Sequence, residues 1–163
     1  MEDVKTKRQE ALSLFEKSPE LAEVKVVYKK KLSNLMKITT SKDCFDVLFS
    51  IYNKDTMEYQ EEFLVLFLNR ANRVLGWTRL SLGGMTGTVV DPKILFAMAL
   101  LTGACSIVIS HNHPSGNMKP SEADIKLTKQ LKEAGKILEI PVLDHLIIVA
   151  EGCYFSFADE GMM

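Results

Sequence analysis

Runs of apolar residues punctuated by Gly, Pro and Asn divide the chain from Ser41 onward into alternating helices and strands. The spacing predicts a helix from Ser41 to Tyr52, a strand from Phe63 to Leu68, a turn over Asn69 to Asn72 and a paired strand from Val74 to Leu80. Gly83, Gly84 and Gly87 then break the pattern. They read as a flexible loop more readily than as the rim of a groove to which an extended peptide adds a strand. Asp91 and Pro92 make a good N-cap and first position for a helix reaching Leu101. Cys105 to Ile109 is a short β-branched run bounded by Gly103 and by Pro114 and Gly116, as a buried strand would be. After Pro120 a helix opens, with Ile125, Leu131, Ala134 and Leu138 at helical spacing. Val142 to Val149 and Tyr154 to Phe157 form a last hairpin around Glu151-Gly152. Strands and helices alternating in this way imply an α/β fold, a mixed β-sheet sandwiched by helices.

Upstream, residues 3 to 17 read as a short amphipathic helix carrying Leu12, Leu14 and Phe15 and ending before Ser18-Pro19, while Val24, Val26 and Tyr28 alternate like a strand. Residues 1–39 are therefore expected to form an extension ahead of a domain over 40–163. With 163 residues, 47% of them hydrophobic and 25% charged, the chain is long enough to bury one core. A net charge of -1 argues against a protein that holds DNA mainly through phosphates. The first forty residues carry nine Lys and Arg against six Asp and Glu, with a cluster at Lys29-Lys30-Lys31 that reads as a solubilising edge. A nucleic-acid contact is thus only weakly supported. Cys44, Cys105 and Cys153 are too irregular for a disulfide framework, and Met1-Glu2-Asp3-Val4-Lys5 is unlike a signal peptide. The apolar run from Ile94 to Leu101 is far short of a membrane span. A reduced, cytoplasmic setting with no membrane partner is expected.

The chemistry concentrates between His111 and Asp124. His111 and His113 stand where the third strand leaves the sheet, and alternation places both on one side of the chain. Pro114-Ser115-Gly116 reverses direction, and Ser121 and Asp124 fall in the first turn of the next helix, facing back toward the histidines. Two imidazoles and a carboxylate make a three-ligand metal site with one coordination position open, as a catalytic metal requires. Ser121-x-x-Asp124 before an apolar run also matches a capping box, in which the pair only satisfies orphan amide groups. A His-x-His at a strand exit, in a chain with three histidines, is harder to explain by packing and shifts the balance to a metal. Zinc suits these ligand types, as do iron, manganese and cobalt.

Other short histidine motifs fail. Zinc deaminases pair a His-x-Glu with Pro-Cys-x-x-Cys, whereas the three cysteines here are scattered singly. No His-Glu-x-x-His exists for a helical metalloprotease. The letters of His111-Asn112-His113 spell the name of a nuclease motif whose residues are dispersed over a larger unit, and the coincidence carries no weight. The His-x-His of amidohydrolases belongs to a barrel of about 250 residues.

His111-x-His113-Pro114-Ser115-Gly116, seven residues between His113 and Ser121 and two more before Asp124 resemble the JAMM motif (also called MPN+ or JAB) of metalloproteases, in the form carried by bacterial RadC-like proteins. Gln60-Glu61-Glu62-Phe63 ahead of Val65 to Asn69, Asp91-Pro92, and Leu143-Asp144-His145 agree with that likeness, which covers roughly residues 40 to 163. The resemblance implies a fold similar to cytidine deaminase, with zinc bound by His111, His113 and Asp124. It also implies a glutamate general base at Glu61 and a serine, Ser121, that helps stabilise the tetrahedral species. Strand alternation points Glu61 and Glu62 to opposite faces, so only one reaches the site, and the family's Glu-x-Phe pattern favours Glu61. Longer RadC-like proteins place a helix-hairpin-helix region ahead of this domain. Nothing in residues 1–39 resembles it, so a short form is expected and a DNA role borrowed from the longer relatives is weakened.

The expected function is that of a zinc-dependent metallopeptidase or isopeptidase-like hydrolase, with a metal-activated water attacking an amide bond of a peptide or protein substrate. The alternative is a non-catalytic metal-binding interaction module associated with DNA repair or mobile-element metabolism. A scaffold has no need of Glu61 or of an open coordination position, which favours the enzyme. His145, between Asp144 and Leu146 in a strand, reads as a structural residue rather than a ligand. None of these motifs specifies an oligomeric state.

Overall fold

The computed structural model describes residues 35–84 and 89–163. The helix and strand expected upstream, the lysine cluster at residues 29–31 and Gly87 lie outside the described residues. Helix α1 spans Ser41–Ile51, followed by β1 (Glu62–Leu68) and β2 (Val74–Leu82). Helix α2 (Pro92–Thr102), β3 (Ser106–Asn112), α3 (Glu122–Ile137), β4 (Val142–Ile148) and β5 (Tyr154–Ser156) complete the order. Each helix starts on a side-chain cap: Thr40 and Asp43 in a reciprocal capping box for α1, Asp91 followed by Pro92 for α2, and Ser121 with Asp124 for α3.

The strands form one five-stranded sheet in the order β2-β1-β3-β4-β5. Strand β1 runs antiparallel to both β2 and β3, whereas β3 and β4 are parallel and joined through α3. Every residue of β1 and of β3 is buried, because helices cover both faces of the sheet. Leu64, Leu66 and Leu68 pack with Phe45, Leu48 and Tyr52 of the α1 layer. The alternate residues Phe63, Val65 and Phe67 pack with Leu95, Phe96 and Ala99 of α2 and Leu131 of α3. The helix-covered mixed sheet is the architecture the spacing predicts.

Two departures bear on function. Strand β3 does not release the chain after Ile109: Phe63 opposes His111 and Ile148 opposes Asn112, so ladder partners extend the strand to Asn112. On α3 the buried stripe is Thr128, Leu131 and Gly135, while Ile125 and Leu138 are exposed. A Cβ at Gly135 would lie 2.5 Å from the Ile140 carbonyl oxygen, so the absence of a side chain there lets the turn after α3 close tightly against the helix. Among the described residues no helix is long and apolar enough to cross a membrane, and Cys44, Cys105 and Cys153 are free.

Candidate metal centre

Pleating of β3 sends His111 toward the α2/α3 layer and Asn112 toward the α1 layer. His113 follows on the same side as His111, and their Nε2 atoms face each other at 2.9 Å. Asp124, in the first turn of α3, completes the cluster, with Oδ1 3.2 Å from His111 Nε2 and Oδ2 3.6 Å from His113 Nε2. The three ligand atoms lie within 4.8 Å of one another. Both readings of Ser121 and Asp124 coexist in this geometry. The Ser121 amide and hydroxyl donate to Asp124 Oδ2 at 2.7 and 2.6 Å, and the Asp124 amide donates to Ser121 Oγ at 3.2 Å. The capping box thereby orients the same carboxylate that meets the histidines.

The turn after β3 fixes the second imidazole. Gly116 donates its amide to the His113 carbonyl at 3.1 Å and adopts φ +73°, a left-handed conformation that glycine takes without strain. His113 Nδ1 lies 2.5 Å from the Asn117 carbonyl. A carbonyl can only accept, so Nδ1 carries hydrogen and Nε2 is turned to the cluster. Two imidazole nitrogens and a carboxylate converging on one point, with their outer atoms held by hydrogen bonds, fit a divalent first-row metal.

The electrostatics agree. Burial alone would raise the Asp124 carboxyl, but hydrogen bonds with His111, His113 and Ser121 outweigh it and hold the group well below the usual carboxylate range. The Asp124 bond in turn raises His113 above the ordinary imidazole value, against a smaller opposing effect of burial. A proton on Nε2 competes directly with a metal. Below the raised His113 value the nitrogen is blocked, and above it the lone pair is free. Zinc affinity, measured by chelator competition from about pH 8.5 to 6, is therefore expected to fall about tenfold for each pH unit below that value, one proton being released per metal bound. A pH-independent affinity would contradict it.

Register separates the two adjacent acids. Leu64 pairs with Arg79, and Glu62 lies on that same α1 face, buried, with Oε2 2.7 Å from Arg79 Nε and Oε1 accepting from the Thr56 hydroxyl at 3.2 Å. Glu61 instead lines a cavity of about 270 Å³ with His111, Asp124, Phe63, Val90 and Leu127. Burial raises the Glu61 carboxyl, and the neighbouring histidines offset only part of that rise. Its backbone is clamped, the amide donating to Gly84 O at 3.1 Å and the carbonyl accepting from Gly83 N at 2.8 Å. Gly83 and Gly84 thus continue the β1–β2 pairing rather than forming the loose loop expected of them. A larger cavity of about 570 Å³, lined by Asn69, Arg70, Cys105 and Glu139, opens at the opposite end of the sheet and gathers no ligand cluster among the described residues.

Three residues outside the sequence motif support the cluster. Asn112, between the histidines but on the other face, accepts from the Glu62 amide at 2.7 Å and donates to the carbonyls of Met57 at 2.8 Å and Gln60 at 2.9 Å. It ties the segment that delivers Glu61 to the strand that delivers the histidines. His145 is fully buried between Phe63 and Phe157, with Nε2 2.8 Å from His111 Nδ1 and Nδ1 2.6 Å from the Thr128 hydroxyl. Burial holds His145 well below the ordinary imidazole value. It stands behind His111, on the side away from Asp124.

A family model for the RadC-like JAB domain matches residues 38–162. This chain belongs to that family. A UPF0758 protein of Flavobacterium johnsoniae is 48% identical to the RadC-like chain over 128 residues, 78% of this chain and 54% of that protein. A UPF0758 protein of Porphyromonas gingivalis is 43% identical over 104 residues, 64% of this chain and 46% of that protein. One of Pelobacter propionicus is 37% identical over 134 residues, 82% and 57% of the two chains. The RadC-like chain spans about half the length of the curated relatives it matches.

Proposed function

We propose that this RadC-like domain is a zinc-dependent hydrolase of amide bonds in peptides or proteins, with His111, His113 and Asp124 as metal ligands, Glu61 as general base and Ser121 beside the reacting carbonyl. The observation that carries the reading is the convergence of Glu61 with His111 and Asp124 around one cavity, beside which His113 Nε2 lies 2.9 Å from His111 Nε2, while its neighbour Glu62 is engaged elsewhere. Zinc held there supplies Lewis acidity and brings water close to deprotonation at neutral pH. Glu61 takes the proton of the attacking water and passes it to the leaving amine as the C–N bond breaks. Phe63, Val90 and Leu127 line the cavity with apolar surface and limit water around the acid. Ser121 fixes Asp124 through its amide and hydroxyl, and opposing charge on the carbonyl oxygen requires that hydroxyl to turn its one hydrogen from Asp124 to the substrate.

The test combines metal content with cleavage. Protein purified without chelator or an affinity-tag metal is expected to hold about one zinc per chain, lost in a folded double variant with His113→Ala and Asp124→Ala. The metal-loaded wild type is expected to cleave members of a peptide and isopeptide library, and the double variant none. Metal retained with no cleavage of any substrate would overturn the hydrolase reading in favour of a metal-binding interaction module.

A further inference from the structure

Behind His111, on the side away from Asp124 and His113, a line of hydrogen bonds crosses from β3 through β4 to α3 and returns to the backbone of Asp124. His111 Nδ1 meets His145 Nε2 at 2.8 Å, His145 Nδ1 meets Thr128 Oγ1 at 2.6 Å, and Thr128 Oγ1 meets the Asp124 carbonyl oxygen at 2.6 Å. The direction of the line is set by its last member. A carbonyl oxygen can only accept, so the Thr128 hydroxyl spends its single hydrogen on Asp124 O. That hydroxyl must then accept from His145, which places hydrogen on His145 Nδ1. The other hydrogen-bond partner of His145 is an imidazole and aromatic rings cover it, so no carboxylate bonds directly to it and its burial favours the uncharged ring. An uncharged ring with hydrogen on Nδ1 has a bare Nε2, which accepts from His111 Nδ1. With Nδ1 so occupied, the uncharged form of His111 has its lone pair on Nε2, the atom turned toward Asp124 and His113, and it is this form that can ligate a metal.

We propose that His145 and Thr128 are positioning residues that select the ligating tautomer of His111 and brace it against the helix turn carrying Asp124, so that ligands from a strand and a helix are aligned before metal arrives. The proposal rests on the metal-centre reading above. It accounts for a polar residue, Thr128, in the buried stripe of α3, where helix packing alone would favour an aliphatic one. It also accounts for a histidine buried at the centre of a sheet with both nitrogens satisfied. Ligand-orienting partners of this kind typically change metal affinity by about 10–100-fold.

The experiment compares wild type with Thr128→Val, Thr128→Ser and His145→Gln. Zinc dissociation constants come from chelator competition, and long-range 1H–15N spectra of the metal-free proteins report which imidazole nitrogens carry hydrogen. Wild type is expected to show hydrogen on Nδ1 of both His111 and His145. Thr128→Val, which keeps the shape and removes the hydroxyl, is expected to bind zinc about 10–100-fold more weakly, Thr128→Ser to restore affinity to within a few-fold, and His145→Gln to lose at least as much as the valine variant. Wild-type affinity in a folded Thr128→Val protein overturns the proposal, as does hydrogen on His145 Nε2 in wild type. A wild type with the expected tautomers that takes up no zinc overturns the metal-centre reading and this inference with it. A wild type that binds zinc no more tightly than its variants overturns this inference alone.

Discussion

Glu61→Gln is expected to slow metal-dependent amide hydrolysis by about 10²–10⁴-fold while leaving metal occupancy at the wild-type level. The amide keeps the size and hydrogen-bonding reach of the carboxylate but cannot accept the water's proton, so the loss should appear in kcat rather than in substrate binding. Glu61 lies outside the set of three ligand atoms, which is why metal should be retained. The informative control is Glu62→Gln. Glu62 is paired with Arg79 on the other face, and its replacement should cost stability without removing the proton acceptor. Equal rate losses in the two variants, or metal loss in Glu61→Gln, would falsify the assignment of the base.

Asn112→Ala should be the most destabilising single change at the site. Its amide side chain satisfies the Glu62 amide and the carbonyls of Met57 and Gln60, and it is 1% exposed. Truncation leaves one donor and two acceptors without their partner, at about 1–3 kcal/mol for each group that water cannot reach. A total loss of about 3 kcal/mol or more is expected in urea unfolding of the metal-free protein. Tyr52→Phe removes the 3.0 Å bond to Ser110 in the same layer and should cost only about 1 kcal/mol. Because Asn112 anchors the segment entering β1, the surviving folded fraction should lose hydrolysis more than metal affinity. A penalty near that of Tyr52→Phe would show that the segment is held by other contacts.

Much of this arrangement is legible in the chain. The strands announce themselves because helices cover both faces of the sheet, which turns β1 after Glu62 into an unbroken apolar run and gives β3 its apolar centre at Ile107, Val108 and Ile109. The ligands are legible because a pleat brings alternate residues to one side and a helix start turns its first carboxylate back toward them. Choosing between Glu61 and Glu62 needs more than alternation, since either face can be the site face. The pairing of Leu64 with Arg79 favours Glu61 for the proposed role by giving Glu62 a cation on the other face. What stays hidden depends on partners distant in sequence. Asn112 looks like a spacer between two histidines until Met57 and Gln60 are brought against it. Thr128 looks like a polar break in an amphipathic helix, and Ile125 and Leu138 look buried, because spacing alone does not reveal which stripe of the helix meets the sheet.

The ligands and the acid reach the site by different routes. His111, His113 and Asp124 belong to one continuous stretch of strand, turn and helix start, whereas Glu61 arrives only when β1 lies along β3. Closing a short loop costs little entropy and takes well under a microsecond, while pairing distant strands is slower. A chain emerging from denaturant can therefore grasp metal before it has assembled the means to use it. Metal bound by partly folded chains lowers the stabilisation that metal confers on the native state. If the site takes zinc as proposed, a melting-temperature rise on adding it is expected to understate the native affinity, and the proposed hydrolysis, which needs β1 in register, would be the truer report that folding is complete.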